Sequence, residues 1–397
     1  MTDILMISHL VPNDNGSGVQ RRAAAHLKAL TERFNVHLLV FEAQPVEHTE
    51  AQRALLARCA TAIVLPAPER PRPSLVNVPP FAIIAELLEP TTARMVPADD
   101  LLQRAVARLP VQEFAATFCF RIRSGLVFRR LRQVAPLEPG RCIVDFDDIE
   151  SVVALRSESY APKSRGFEQT VIDRLKIGKI RRVEKDFLAE FDDVLVCSEA
   201  DRRALTDTGP RARIHAIPNS VPIPSLVQSA GSRERANILF VGTMTYGPNQ
   251  DAATWFCRAI LPRIREGAGM PVDATLVGFN PPPSIRQLAE MPGVVVTGGV
   301  DRVEPYYEAC DLVVAPIRYG GGTRIKILEA MSHARPVVST TIGAEGLDVT
   351  PNANILMAED EESFAAACLT LLRDPARAAM LGLAGRRFVE ERYSAPV

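Results

Sequence analysis

The sequence lacks any hydrophobic run that approaches the roughly 20 residues needed to cross a bilayer. It also lacks a basic segment and a cleavage site before its first apolar strand, so no secretory signal is indicated. Its formal net charge is only −1, whereas general nucleic-acid binders depend on a large positive field. We therefore expect a cytoplasmic protein that binds no nucleic acid and has at most a peripheral contact with the inner face of a membrane.

Paired cysteines and clustered histidines are missing as well. The seven cysteines are scattered without a C-x-x-C pair, and an odd number without a framework is typical of reduced thiols. The six histidines show no metal-ligand spacing. We therefore expect reduced thiols and no metal site.

The sequence is rich in apolar residues, which make up 47% of the total and form short β-branched runs between helical patterns. Such alternation is typical of parallel α/β units. We predict seven strands between Asp3 and Ile217 and five between Asn237 and Ser339. With 397 residues, the chain is long enough for two doubly wound, Rossmann-like domains.

A proline-rich segment, Pro218–Pro224, separates the two series of strands. Three prolines within seven residues can continue neither a helix nor a central strand, so the segment predicts an interdomain linker. We expect domains at residues 1–220 and 237–397, joined by a linker at 221–236. Ligands of open parallel sheets bind beyond the carboxyl ends of the strands, so both domains are expected to face a ligand in the cleft between them.

The segment Ala315–Met331 carries the most chemical information. Its glycines, Gly320–Gly322, follow a predicted strand and lead directly into a helix, whose free N–H groups and dipole favour an anion. Arg324 and Lys326 lie in the first turn, where cations oppose the dipole and a bound diphosphate would remove the conflict. Glu329 lies in an apolar context and is a suitable acceptor for two ribose hydroxyls. A glycine-rich turn with solvated basic residues and an ordinary amphipathic helix remain the alternatives.

A second glycine-containing loop joins the first strand to a helix that is predicted to begin near Val19. Gly16 and Gly18 precede this helix, which again offers a flexible helix N-terminus to an anion. A plain turn explains the same residues without a ligand.

Carboxylates gather just past the strand that ends near Phe146. Asp147 and Asp148 are candidates for orienting an acceptor hydroxyl, because catalytic groups collect at strand ends. A divalent-cation site and a solvated acidic loop are the alternatives. The basic residues Arg121 and Arg123 follow the preceding strand and are candidates for meeting an anionic acceptor.

The helix predicted after that strand, Ile122–Arg132, is basic and amphipathic. It suits either a position on an anionic bilayer or packing against the core with a basic solvent face.

The segment Gly320–Met331 resembles the nucleotide-binding motif of glycosyltransferase family 4, in the branch written Gly-Gly-Gly-Thr-Arg-x-Lys-x-Leu-Glu-Ala-Met. That branch includes sugar transferases associated with bacterial exopolysaccharide systems. Further segments resemble the same family in order along the chain: Phe240–Asn249, Leu276–Gly278, Val296–Asp301 and Pro336–Gly346.

The resemblance implies a retaining, hexosyl-type glycosyltransferase of the GT-B fold. Its donor substrate would be a UDP- or GDP-linked sugar, no cofactor would be bound permanently, and its acceptor would be a glycan or a lipid-linked glycan. The family's site roles, transferred to this sequence, assign the diphosphate to Arg324 and Lys326 and the ribose to Glu329. They assign the base to the backbone at Gly298, Gly299 and Val300, and the donor phosphates to the loop that contains Gly16 and Gly18. Gly242, in the segment that opens the second domain, is also expected to bind the donor.

One departure from the family pattern concerns the transferred sugar. Many members have a glutamate eight positions before the second glutamate, and this chain has Gly321 there. Backbone N–H groups at Gly321 and Gly322 are the expected replacements, and Thr323 is expected among the residues that bind the donor. The alternatives are a GT-B enzyme that hydrolyses or epimerises a nucleotide sugar and a non-catalytic nucleotide-sugar-binding protein. A dehydrogenase is disfavoured because Gly16 and Gly18 lack a third glycine at the required spacing.

Overall fold

The computed structural model describes residues 1–42, 47–67, 91–160, 166–226, 234–321 and 324–394. The chain divides into two compact units, Met1–Ile217 and Pro218–Val397. Each unit is built on one parallel β-sheet, which confirms the predicted α/β class. The segment expected as a linker belongs to the second unit, where Val221 pairs with Ser394.

The strands of the first unit are β1 (Asp3–Ser8), β2 (Asn35–Glu42), β3 (Thr61–Pro66), β4 (Ala116–Phe120), β5 (Arg141–Asp147), β6 (Asp193–Val196) and β7 (Arg213–Ala216). Its helices in the described ranges are α1 (Gly18–Thr31), α2 (Glu50–Leu56), α3 (Thr91–Arg94), α4 (Asp99–Ala107), α5 (Arg121–Val134), α6 (Glu150–Ser159), α7 (Phe167–Glu190) and α8 (Glu199–Thr206). All paired strands run parallel, because a helix connects most of them.

The order of the first sheet is β3-β2-β1-β4-β5-β6-β7. Strand β1 pairs with β2 on one side and β4 on the other, where Ile4 aligns with Val36 and Ala116 respectively. Strands β2 and β3 therefore lie on one side of β1 and the later strands on the other, so the strand order reverses between β1 and β4. Ligands of doubly wound sheets bind at such a switch point, beyond the carboxyl ends of the strands.

The strands of the second unit are β8 (Ala236–Val241), β9 (Val272–Val277), β10 (Val294–Gly298), β11 (Leu312–Ala315), β12 (Val337–Ser339) and β13 (Leu356–Met357). Its α-helices in the described ranges are α9 (Gly247–Trp255), α10 (Leu261–Ala268), α11 (Pro283–Arg286), α12 (Glu304–Ala309), α13 (Ile325–Ser332), α14 (Glu361–Arg373) and α15 (Pro375–Arg392). The order is β10-β9-β8-β11-β12-β13, so the switch point lies between β8 and β11.

Two local features of the second unit differ from the sequence prediction. The helix expected over Gln250–Arg265 contains a π-helical segment, Phe256–Ile260, between α9 and α10. Strand β13 was not predicted, because two residues are too few to show an alternating pattern.

Apolar side chains fill both faces of each sheet. In the first unit, Leu5 and Ile7 of β1 point to one core cluster, and Ile4 and Met6 point to the other. Such two-sided burial explains why the strands read as continuous apolar runs rather than as alternating ones. It also leaves the carboxyl ends of the strands as the place where polar groups gather.

The basic helix α5 packs against the core of the first unit. Its apolar side chains Ile122, Leu126 and Phe128 are buried, and a Cβ at Gly125 would lie 2.4 Å from the Phe187 ring. The alternative in which this helix places its apolar face in a bilayer is therefore wrong. No helix in the described ranges is long and apolar enough to span a membrane.

Candidate functional site

The N-terminus of α13 holds a buried arginine. Arg324 is the N-cap residue, its side chain is buried, and its Nη1 donates to the carbonyl oxygen of Gly321. Its Nε and Nη2 have no hydrogen-bond partner among the described residues. An unsatisfied buried guanidinium is costly, so the arrangement suits an anion that would accept from both nitrogens.

Lys326 lies two residues further on, in the first turn of α13. Its Nζ donates to Asn249 Oδ1 at 2.7 Å and lies 4.5 Å from the centre of the Phe240 ring. Burial and the neighbouring Arg324 charge hold the pKa of Lys326 well below its usual range. Within the described residues no carboxylate pairs with Arg324 or Lys326, so both basic groups lack a negative partner.

Gly242 provides the space for this arrangement at the end of β8. A Cβ at Gly242 would lie 2.8 Å from Lys326 Nζ and 2.8 Å from Asn249 Nδ2. A side chain at this position would therefore displace the ammonium group. The sequence-predicted residues Gly242, Arg324 and Lys326 thus lie around the same switch point between β8 and β11.

Glu329 is buried, and its carboxylate is held by a tyrosine. Only 9% of the residue is exposed, and Tyr307 Oη donates to Oε2 at 2.9 Å. The Tyr307 ring stacks on His333 with their centres 5.2 Å apart. The alternative in which Glu329 lies on a polar helix face is therefore wrong. Tyr307 itself was not identified from the sequence, because it is on a different helix, α12.

The residues expected near the base lie at the end of β10. Gly298 has a φ of 75°, which L side chains rarely adopt, so the backbone there depends on glycine. A Cβ at Gly299 would lie 3.0 Å from the Phe279 ring, and Val300 packs against the core. The base contacts of these residues remain a prediction.

The glycine run before α13 is described only in part. Gly320 has a φ of 111°, and Gly321 N lies 3.5 Å from Tyr246 Oη, to which it donates. Gly322 and Thr323 lie outside the described residues. Their predicted contacts with the donor sugar therefore stay predictions.

The glycine-containing loop of the first unit closes on its own helix. Ser17 is the N-cap of α1, and its backbone N donates to Gln20 Oε1 at 3.0 Å. A Cβ at Gly16 would lie 2.5 Å from the same oxygen, so a side chain there would move Gln20 away from its capping position. Gly18 begins the helix. The phosphate contacts predicted for Gly16 and Gly18 are not needed to explain this geometry.

A buried ion-pair network joins helix α1 to strand β5 of the first unit. Arg22 Nε and Nη2 donate to the two carboxylate oxygens of Asp145 at 2.7 and 3.0 Å, and His26 Nε2 lies 2.7 Å from Asp145 Oδ2. Burial alone would raise the pKa of Asp145, but Arg22 and His26 hold it below its usual range. Sequence reasoning missed this carboxylate, because nothing local marks a polar residue inside an apolar strand as paired.

Asp147 ends the same strand in an unusual conformation. It is buried, has a φ of 58°, and its N donates to Asp145 Oδ1 at 2.8 Å. Burial and the Asp148 carboxylate raise the pKa of Asp147 to about 7. Arg121, which directly follows the neighbouring strand β4 and begins α5, has a φ of 67°, and its Nη2 lies 3.4 Å from Glu150 Oε1. Strained non-glycine backbone persists where the surroundings impose it, often at functional sites.

Asp147 and Asp148 also form, with Cys197, a group whose ligand atoms lie within 4.8 Å of one another. The Arg22 guanidinium is 3.6 Å from Asp147, and Arg121 is 3.9 Å from Asp148. A cation would have to compete with these positive charges. The sequence prediction of no metal therefore stays in place as a prediction.

Solved structures provide three comparisons. Sucrose-phosphate synthase from Thermosynechococcus elongatus has a TM-score of 0.68 at 18% identity, over 99% of this chain and 95% of that chain. Anabaena HepE in complex with UDP and glucose has a TM-score of 0.66 at 16% identity, over 99% and 96%. WaaG, a glycosyltransferase involved in lipopolysaccharide biosynthesis, has a TM-score of 0.61 at 14% identity, over 98% and 96%.

Sequence comparison identifies two further matches. An uncharacterized 44.6 kDa protein in the cps region of Klebsiella pneumoniae is 21% identical over 222 residues, which are 53% of this chain and 55% of that protein. The match therefore spans about half the length of that relative. Residues 235–374 match the family described as Glycosyl transferases group 1. The chain has the GT-B fold of its structural neighbours, and the family match falls within its second unit.

Proposed function

We propose that the protein is a retaining glycosyltransferase that moves a hexose from a UDP- or GDP-linked donor to a hydroxyl of a glycan or lipid-linked acceptor. The observation that carries the proposal is that two neighbouring basic side chains, the buried Arg324 and the half-buried Lys326, have no carboxylate partner among the described residues. A diphosphate supplies the missing negative charge. It also accepts hydrogen bonds from the guanidinium nitrogens that have no partner in the described structure.

In this proposal the first step is departure of the nucleoside diphosphate. Arg324, Lys326 and the N-terminal amides of α13 stabilise the charge that develops on the leaving oxygen. Glu329 accepts from the ribose hydroxyls, and the backbone of Gly298–Val300 contacts the base. The acceptor hydroxyl attacks from the face that the diphosphate leaves, which gives retention.

The acceptor hydroxyl must also lose a proton. Asp147 is a candidate to position this hydroxyl and to accept its proton, with Asp148 as a second candidate to orient it, because the pKa of Asp147 is raised to about 7. These roles rest on the position of both residues at the end of β5, where parallel sheets place their catalytic groups.

The structural neighbours support the substrate classes. Anabaena HepE has been solved with UDP-glucose, and Staphylococcus aureus TarM with UDP and α-GlcNAc-glycerol. WaaG acts in lipopolysaccharide biosynthesis, and the Klebsiella relative is encoded in a cps region. These similarities favour a donor with a uridine base and a role in cell-surface polysaccharide synthesis.

The proposal is tested by calorimetric titration of the wild-type protein with UDP, GDP, ADP and dTDP, followed by a turnover assay with the matching nucleotide sugars. We expect one diphosphate to bind in the micromolar range, on the order of −8 kcal/mol. We also expect the donor to be consumed faster when a glycan acceptor is added. Consumption at an equal rate without acceptor would indicate a hydrolase or epimerase, and binding without consumption would indicate a nucleotide-sugar-binding protein. If no nucleotide bound, the phosphate site itself would be wrong.

Tyr307→Phe tests the assignment of the ribose to Glu329. The substitution removes the hydroxyl that donates to Glu329 Oε2, so the carboxylate is less firmly oriented. We expect affinity for the ribonucleoside diphosphate to fall several-fold, in line with about 0.5–1.5 kcal/mol for one hydrogen bond. The 2′,3′-dideoxy analogue has no ribose hydroxyls and serves as the control. An equal loss for both ligands would show that Tyr307 does not act through the ribose.

A further inference from the structure

Asn249 contacts Lys326 from the third position of α9. The residue is buried, and its Nδ2 donates to the Thr243 carbonyl oxygen at 2.9 Å. That bond fixes the orientation of the amide, because Nδ2 is the donor and the other atom, Oδ1, can only accept. Oδ1 is therefore directed at Lys326 Nζ, which donates to it at 2.7 Å.

The ammonium group of Lys326 is enclosed by its surroundings. The Phe240 ring covers one side at 4.5 Å, and Gly242 leaves the space that a side chain would fill. Asn249 provides its hydrogen-bond acceptor in the described structure. The position of Nζ is thus determined by three residues at the carboxyl end of β8 and the start of α9.

The same helix contacts a second basic residue, Arg318, through a carboxylate instead of an amide. Two positions after Asn249, Asp251 makes a bidentate ion pair with Arg318, with distances of 2.9 and 2.6 Å. Arg318 also lies over the Trp255 ring at 4.7 Å. Helix α9 therefore presents a carboxylate to Arg318 but an uncharged amide to Lys326.

The difference has an electrostatic consequence. An aspartate has nearly the same shape as an asparagine, so one oxygen of a carboxylate at position 249 would reach and neutralise the ammonium group of Lys326. Its other oxygen would replace Nδ2 and could not donate to the Thr243 carbonyl oxygen. The amide accepts the same hydrogen bond without adding a negative charge. A diphosphate that approaches Lys326 then meets no competing anion.

We infer that Asn249 is a positioning residue that holds Lys326 with a neutral acceptor and so keeps its charge available to the diphosphate. The inference rests on the proposed function of the Arg324 and Lys326 site. It adds that the choice of amide over carboxylate at position 249 sets the affinity for the nucleoside diphosphate.

Asn249→Asp is the decisive substitution. At pH 7.5 (about neutral, where a paired carboxylate is charged) Lys326 gains a charged partner, while the bond from Asn249 Nδ2 to the Thr243 carbonyl oxygen is lost. The two effects oppose each other, so we expect the free variant to stay folded with only a small change in its thermal midpoint. We expect affinity for the nucleoside diphosphate to fall at least tenfold, because the new carboxylate opposes the phosphates. Affinity for the uncharged nucleoside is expected to stay within about twofold. A purely structural role would lower affinity for the diphosphate and for the uncharged nucleoside together.

Asp251→Asn is the matched control, because it makes the reverse exchange two positions away on the same helix. It should lower the thermal midpoint, since Arg318 loses its partner, without weakening diphosphate binding. A double variant, Asn249→Asp with Lys326→Met, should be less stable than Lys326→Met alone, because the carboxylate then has no ammonium group to meet.

The outcomes separate this inference from the proposed function. If the wild-type protein binds a diphosphate and Asn249→Asp binds it equally well, the inference is overturned and the site stands. An equal loss of affinity for the uncharged nucleoside and for the diphosphate also overturns it. If the wild-type protein binds no diphosphate, the proposed function fails.

Discussion

Replacing Asp145 by asparagine is expected to destabilise the protein by about 3–5 kcal/mol, because the buried Arg22 guanidinium loses the carboxylate that accepts from two of its nitrogens. Both carboxylate oxygens of Asp145 accept from Arg22, and Oδ2 also contacts His26. Neither Asp145 nor Arg22 is accessible to water that could replace these contacts. The loss is measured by denaturant unfolding at neutral pH.

The pH dependence of this effect follows from the lowered pKa of Asp145. Its ionised form is favoured in the folded protein, so its stabilising contribution is fully present above the unfolded value of 3.8. The contribution is lost as the pH falls below that value toward the folded pKa. The difference in stability between the wild type and Asp145→Asn should therefore shrink only in strong acid. A loss below about 1 kcal/mol at neutral pH would contradict the assignment.

Asp147→Asn, two residues further along β5, provides the contrast because its expected sign is opposite. The folded-state pKa of Asp147 is about 7 and the unfolded value is 3.8, so the folded protein prefers the protonated form. The resulting stabilisation is present at low pH and is lost as the pH rises from 3.8 through about 7. The asparagine variant should thus gain stability relative to the wild type as the pH rises through this window. Asparagine also tolerates the φ of 58° at this position.

Arg324→Ala has the largest expected effect on binding. A hydrogen bond from a charged donor is worth about 1.5–3 kcal/mol, so affinity for the nucleoside diphosphate should fall about 10- to 100-fold. In the protein without ligand, two nitrogens of Arg324 have no hydrogen-bond partner among the described residues, and Nη1 donates to a backbone carbonyl oxygen. The variant is therefore expected to fold, and calorimetric titration measures the loss.

Arg335→Ala is the matched control for this experiment. Arg335 is also a buried arginine, but it follows the opposite end of α13, where its Nη2 donates to the Glu308 carbonyl oxygen at 2.8 Å. Its removal should lower stability and leave nucleotide affinity within about twofold. Equal losses of affinity in the two variants would mean that Arg324 acts through the fold and not through the phosphates.

Much of the fold can be predicted from the sequence, because strands buried on both faces must be apolar along their whole length. Strand β1 has the predicted bounds, Asp3–Ser8, and α7 has the predicted bounds, Phe167–Glu190. The π-helical segment Phe256–Ile260 could not be predicted, since its apolar pattern fits an α-helix equally well.

The candidate donor site is likewise only partly predictable from the sequence. Arg324, Lys326 and Glu329 lie within six residues of one another, so their helix and its glycine run are visible in the sequence. The residues that contact these side chains cannot be identified from the sequence. Asn249 is 77 positions from Lys326, and Tyr307 is 22 positions from Glu329.

The sequence by itself determined the two parallel α/β units and the local motif that points to a nucleoside diphosphate. Only the tertiary structure decided which polar groups meet, as when Arg22 pairs with Asp145 across 123 positions. The physical reason is that burial leaves a local record in the spacing of apolar residues. A buried hydrogen bond or ion pair depends on where two distant strands or helices bring their side chains, and no local pattern records that.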